Sequence, residues 1–245
     1  MDKNTFLVAT IALLVGFIAG FLLANGINRS EMNSMRLQPA PSAQANTAAS
    51  SPDEPSLSPE EIKAKVDEAD KNPTNFQFQK DLGIGLYRYG AMKNDVTILN
   101  DAARILARAN ALDGKDGDVL TNLGNAYFDI GFARKDMASF EKAREIYNKA
   151  LAVKPDDADV RTDLGISYYV QPQPDYPKAA AELKKVIDAN PGRDRPIHFL
   201  AQVYIEQNKF SDAEKLLSRL KEINPKNPDL KDLAEKLEQA KSRTQ

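Results

Sequence analysis

The residues able to do covalent or acid–base chemistry are few in this chain, and their surroundings do not suit it. Among 245 residues there is one histidine and no cysteine, which removes disulfides, thiolate metal sites and cysteine nucleophiles together. The absence of cysteine fits either side of a membrane and does not fix the redox compartment. His198 is followed by Phe199 and Leu200, a setting that suits a partly buried or groove-lining imidazole better than a metal ligand or catalytic base. Carboxylates are numerous, but they fall in runs such as Glu60-Glu61 and Asp156-Asp157, which read as solvated helix faces. Gly83-x-Gly85 sits inside a helical pattern and reads as packing, not as a phosphate cradle. There is no P-loop, dinucleotide glycine pattern, HExxH or nucleophile elbow. The expectation is a non-enzyme with no catalytic residue, no cofactor and no metal. A formal net charge of -2 also argues against nucleic acid, whose binders carry a basic face.

What positions these residues is a repeat. Leu82-Gly83 with Leu86, Leu123-Gly124 with Tyr127, Leu164-Gly165 with Tyr168, and Leu200-Ala201 with Tyr204 share one internal spacing. Each is followed by a second phrase: Ala102, Leu106, Ala109; Ala143, Tyr147, Ala150, Pro155; Ala179, Leu183, Val186, Pro191; and Ala213, Leu217, Leu220, Pro225. A period in the thirties to forties, built from two helix-spaced halves, predicts a helical solenoid. Glycine inside a helix costs roughly 1 kcal/mol against alanine, so its return in three consecutive units argues for close helix crossings. The small Ala143 and Ala150 serve the same approach on the second helix, and Pro155 ends it.

These phrases resemble the tetratricopeptide repeat family, most fully from Leu120 through Pro155 and from Ile197 through Pro225. The resemblance covers about residues 59 to 241. It implies an all-α solenoid of about four helix-turn-helix repeats, at about 76–116, 117–157, 158–193 and 194–227, inside a domain spanning 58–241. A helix at 228–241, apolar on one face through Leu230, Leu233, Ala234 and Leu237, caps the end, as solenoids require. At the other end Ser58-Pro59-Glu60-Glu61 predicts a helix start with a capping box. One departure is length. Gly83 to Ala102 and Gly124 to Ala143 are each seven residues longer than the family interval, and the apolar Ile98-Leu99 and Met137-x-x-Phe140 point to longer helices over partner-touching loops.

The resemblance also implies a groove lined by the first helix of each pair. Its lining would be Lys80, Ile84 and Tyr87; Thr121, Asn125 and Phe128; Thr162, Ile166 and Tyr169; and His198, Gln202 and Ile205. Tyr87, Phe128 and Tyr169 would then form an aromatic row suited to an extended peptide or an amphipathic helix of a protein partner. The alternative is that these aromatics stabilise the fold, or that a terminal helix fills the groove. The family's clamp for carboxylate chain ends needs basic residues on successive first helices, where Asp159 and Asp163 stand instead.

The N-terminus differs from the rest. After a polar stretch at 1–5, Phe6 to Ala24 runs without a charge; as a helix it would be roughly 28 Å long, near the roughly 30 Å hydrocarbon core of a bilayer. This predicts a transmembrane signal-anchor at 6–24, with a cleaved signal peptide as its rival. Ala12, Gly16, Gly20 and Ala24 recur every fourth residue, a stripe that lets two membrane helices approach and form a homodimer; it also arises because Gly and Ala are common in such helices. Residues 25–57, rich in Ala, Ser, Pro, Gln and Asn, read as a flexible linker. The expectation is a single-pass protein of the bacterial inner membrane with its repeats in the periplasm. There it would act as a scaffold or co-chaperone in the assembly or maturation of envelope proteins. The alternative is a structural protein that self-associates through its span.

Overall fold

The computed structural model describes residues 58–244, so the expected span, its Ala12–Gly16–Gly20–Ala24 stripe and the expected linker lie outside the described residues. Among the described residues there are ten α-helices and no strand. They are α1 Pro59–Lys71, α2 Phe76–Lys93, α3 Val96–Leu112, α4 Gly117–Arg134, α5 Met137–Val153, α6 Ala158–Val170, α7 Tyr176–Ala189, α8 Asp194–Glu206, α9 Phe210–Ile223 and α10 Leu230–Arg243. Among them no helix is long and apolar enough to cross a membrane. The chain divides into two compact units, with the division after Asp129, inside α4.

In the first unit, α1 starts as its sequence dictates. Ser58 Oγ accepts from Glu61 N at 3.2 Å and Glu61 Oε2 accepts from Ser58 N at 2.8 Å, a closed capping box with Pro59 in the first turn. Its far end is closed by α2: the wholly buried Gln79 donates through Nε2 to the carbonyls of Ala69 (2.8 Å) and Asn72 (2.9 Å), filling acceptors that a helix end leaves open. The α2–α3 pair turns on the glycine phrase. A Cβ on Gly83 would lie 2.7 Å from Leu106 Cγ and 3.2 Å from Leu106 N, and Leu106 is fully buried. Nearer the hairpin a Cβ on Gly90 would lie 3.1 Å from Leu99 N, so the two helices stay close along their length.

In the second unit the same devices recur. A Cβ on Gly165 of α6 would meet Leu183 Cγ of α7 at 2.9 Å, and one on Gly131 would meet Phe140 N at 3.1 Å. Helices α5 through α10 each pack on the next, and α10 also rests on α8. α10 buries only Leu233 and Leu237; at roughly 1.5–3 kcal/mol per buried leucine it is lightly held.

Three of the hairpins, α2–α3, α4–α5 and α8–α9, share one turn. Asn94, Lys135 and Asn208 take positive φ of 52°, 53° and 58°, and the next residue's N–H returns to a carbonyl five back: Asp95 to Gly90 (2.9 Å), Asp136 to Gly131 (2.9 Å) and Lys209 to Tyr204 (2.8 Å). Asp95 and Asp136 then cap the following helix with their side chains, each cap being worth about 1 kcal/mol. The long intervals at Gly83 and Gly124 are helix, not loop. α2 and α3 have 18 and 17 residues, as have α4 and α5, against 13 and 14 in α8 and α9. Ile98, Leu99 and Phe140 of the extensions are buried, which is why they remain helical.

Candidate functional site

The face implied for partner binding divides between the units. In the first, Lys80 Nζ is bound to Asp116 Oδ2 at 2.7 Å and Asp118 Oδ2 at 3.2 Å. Burial lowers the Lys80 ammonium, and these carboxylate bonds outweigh it and hold it above its ordinary value. Ile84 and Thr121 are half-buried, and Asn125 is buried. Tyr87 and Phe128 are 2% and 1% exposed. Neither ring is presented as an anchor, which corrects the expected aromatic row. A buried ring places about 150–250 Å² in the core, so the two belong to the packing of the fold.

In the second unit Thr162, Ile166 and Ile205 are buried, and the Thr162 hydroxyl donates to Ala158 O in its own helix at 2.6 Å. Tyr169, Gln202 and His198 are brought together. Tyr169 OH donates to Gln202 Oε1 at 2.7 Å, and the Gln202 amide meets His198 Nε2. The Tyr169 ring lies 6.2 Å from Tyr176 and 6.1 Å from Phe199, within the range of favourable aromatic pairs. Tyr169 and Gln202 keep part of their surface open, whereas His198 is 9% exposed. Burial raises the Tyr169 phenol and, acting against Asp229 and Asp194, lowers the His198 imidazole.

Two further parts of this face were not foreseen from the sequence. The acidic residues of α6 are matched from α8 and the residue before it: Arg195 Nη2 lies 2.6 Å from Asp163 Oδ1, and Arg193 Nη1 lies 2.5 Å from Asp159 Oδ1. Asp163 is 1% exposed, so the arginine carries the charge balance of a buried carboxylate. The other part comes from α10. Lys236 Nζ donates to Tyr169 OH at 3.3 Å and pairs with Glu206 at 2.8 Å, and Asp229 Oδ2 lies 3.7 Å from His198 Nδ1. A signal for it was present: Asp229, Leu233, Lys236 and Leu237 follow helical spacing, which puts two charged residues on the apolar stripe of the last helix. Among the described residues no group of three or more His, Asp or Glu is placed to hold a metal.

Two tetratricopeptide repeat family descriptions match the sequence, one over residues 128–194 and the other over 173–237. Among solved structures, MamA superposes with a TM-score of 0.54 at 23% identity, over 68% of this chain and 88% of that one. TTC0263, a thermophilic tetratricopeptide repeat protein of Thermus thermophilus, gives 0.54 at 18% identity over 72% and 89%. MamA from AMB-1 gives 0.52 at 26% identity over 67% and 81%. No curated protein matches the chain significantly.

Proposed function

We propose that this chain, which carries tetratricopeptide repeats, is a scaffold that binds a protein partner through the first-helix face of its second unit. The observation that carries this reading is the half-open pair of Tyr169 and Tyr176, with the buried Phe199 against Tyr169, beside the Gln202 amide. An aromatic shelf next to a side chain with spare donor and acceptor capacity suits an extended peptide or one face of a helix. The fold supports such a role because paired helices present side chains on a fixed frame. In the same reading the uncharged stretch Phe6–Ala24 anchors the chain in the bacterial inner membrane. The repeats then work in the periplasm, on partners in envelope-protein assembly or maturation. The full-length chain used as bait in membranes should lose its main partner with Tyr169→Ala or Gln202→Ala. An unchanged partner set in both variants contradicts the reading.

A second reading is self-association through the span, favoured by the small-residue stripe Ala12, Gly16, Gly20 and Ala24. Under it Gly16→Ile with Gly20→Ile reduces the full-length chain to a monomer in detergent or a membrane two-hybrid assay. An unaltered oligomeric state excludes it.

A further inference from the structure

We propose that α10 is held by a proton-sensitive clasp, a one-way hydrogen-bond chain from Lys236 through Tyr169 and Gln202 to His198, whose far ring nitrogen faces Asp229, and in which His198 is the switch. The chain starts on α10, crosses α6 and ends on α8, at a ring that faces Asp229 just before α10. Lys236 Nζ donates to Tyr169 OH (3.3 Å), and Tyr169 OH donates to Gln202 Oε1 (2.7 Å). With its oxygen so used, Gln202 has only its NH2 to offer His198 Nε2. The imidazole therefore accepts at Nε2 and carries its proton on Nδ1, which is buried, makes no hydrogen bond and faces Asp229 Oδ2 at 3.7 Å. Every bond runs in one direction, and the neutral ring sets it.

A second proton on His198 breaks that order. Both ring nitrogens become donors, so Nε2–H meets the Gln202 NH2. The amide has to turn over, its NH2 then faces Tyr169, and the phenol oxygen must accept from both Gln202 and Lys236 while its hydrogen leaves the chain. The charges around the ring are mixed. Asp229 at the start of α10 and Asp194 at the start of α8 favour the proton, while Lys236 of α10 and Arg195 of α8 oppose it. Arg195 is balanced by Asp163 of α6, and Lys236 by Glu206 of α8. Burial is the largest effect and holds the imidazole below its ordinary 6.5. The sign follows. When α10 leaves, the ring gains water and binds a proton more readily, so docking is at full strength above about pH 6.5 and weakens as the pH falls below it. α10 can respond without loss of the other helices because it is terminal and buries only Leu233 and Leu237. Release would also uncover Tyr169 and Gln202, and the clasp stands whether or not that face binds a partner.

The test uses the full-length chain. Hydrogen exchange, corrected for intrinsic rate, is expected to show the amides of residues 230–243 losing about tenfold in protection between pH 7.5 and 5.0. His198→Gln, which stays neutral and can donate and accept, should remove that dependence. Unchanged wild-type protection, or an equal loss in His198→Gln, overturns the proposal. Because His198 is the one histidine of the chain, its ring protons can be followed directly by NMR. They should titrate below 6.5, lower still in Asp229→Asn and higher in Lys236→Met. A midpoint at or above 6.5, or one indifferent to both variants, overturns it as well.

Discussion

The first-helix faces of the two units carry the same kinds of residue and put them to different use. In the first unit Tyr87 and Phe128 are buried and Lys80 is closed by Asp116 and Asp118. In the second, Tyr169 and Gln202 remain half-open and the charges are matched separately, by Arg195 on the buried Asp163 and Arg193 on the more exposed Asp159. The same position in a repeat can thus be core in one unit and surface in another. What decides it is what packs over the helix, which a repeat period does not encode.

The sharpest way to break this comparison is to truncate both aromatics. Phe128→Ala should lower stability by about 3–5 kcal/mol, the usual range for a buried ring, while the partly exposed Tyr169→Ala should lower it by about 1–2 kcal/mol. Urea unfolding of each variant measures the gap, and equal losses would remove the distinction. Next in size is the buried ion pair. Arg195→Met leaves the Asp163 carboxylate, 1% exposed, without its arginine and should lower stability by about 3 kcal/mol. Arg193→Met, where the partners are at least a third exposed, should change it by less than about 1 kcal/mol. Gly165→Ala follows. Its new methyl would press on Leu183, so an overpacking cost of about 1–3 kcal/mol opposes about 1 kcal/mol of helix propensity. A net loss of about 1 kcal/mol in thermal or urea unfolding is expected. The smallest effect is a gain. Lys135 holds the left-handed position that Asn94 and Asn208 hold in the α2–α3 and α8–α9 hairpins, so Lys135→Gly should stabilise the α4–α5 turn by about 0.5–1 kcal/mol, seen as a raised Tm.

Much of the fold could be read from residue types. The Leu-Gly phrase demanded a close crossing, and Leu106 over Gly83 and Leu183 over Gly165 are those crossings. The apolar extra residues in the first two pairs demanded burial, and Ile98, Leu99 and Phe140 have it. A second close approach was there to be found: Gly90 and Gly131 each stand seven residues beyond a phrase glycine, two helical turns along the same face. The site was less legible. Spacing places Tyr87, Phe128 and Tyr169 on one kind of helix face, but their exposure depends on neighbours distant in sequence. The clasp at His198 depends on Asp229 and Lys236, whose part is visible only once α10 rests on α8.

A photocrosslinking phenylalanine analogue placed at position 176, and separately at position 84, of the chain expressed in its native cells tests the central claim most directly. The account predicts a protein adduct from position 176 that disappears with Tyr169→Ala, and none from position 84. An adduct from position 84 with none from position 176 would contradict it.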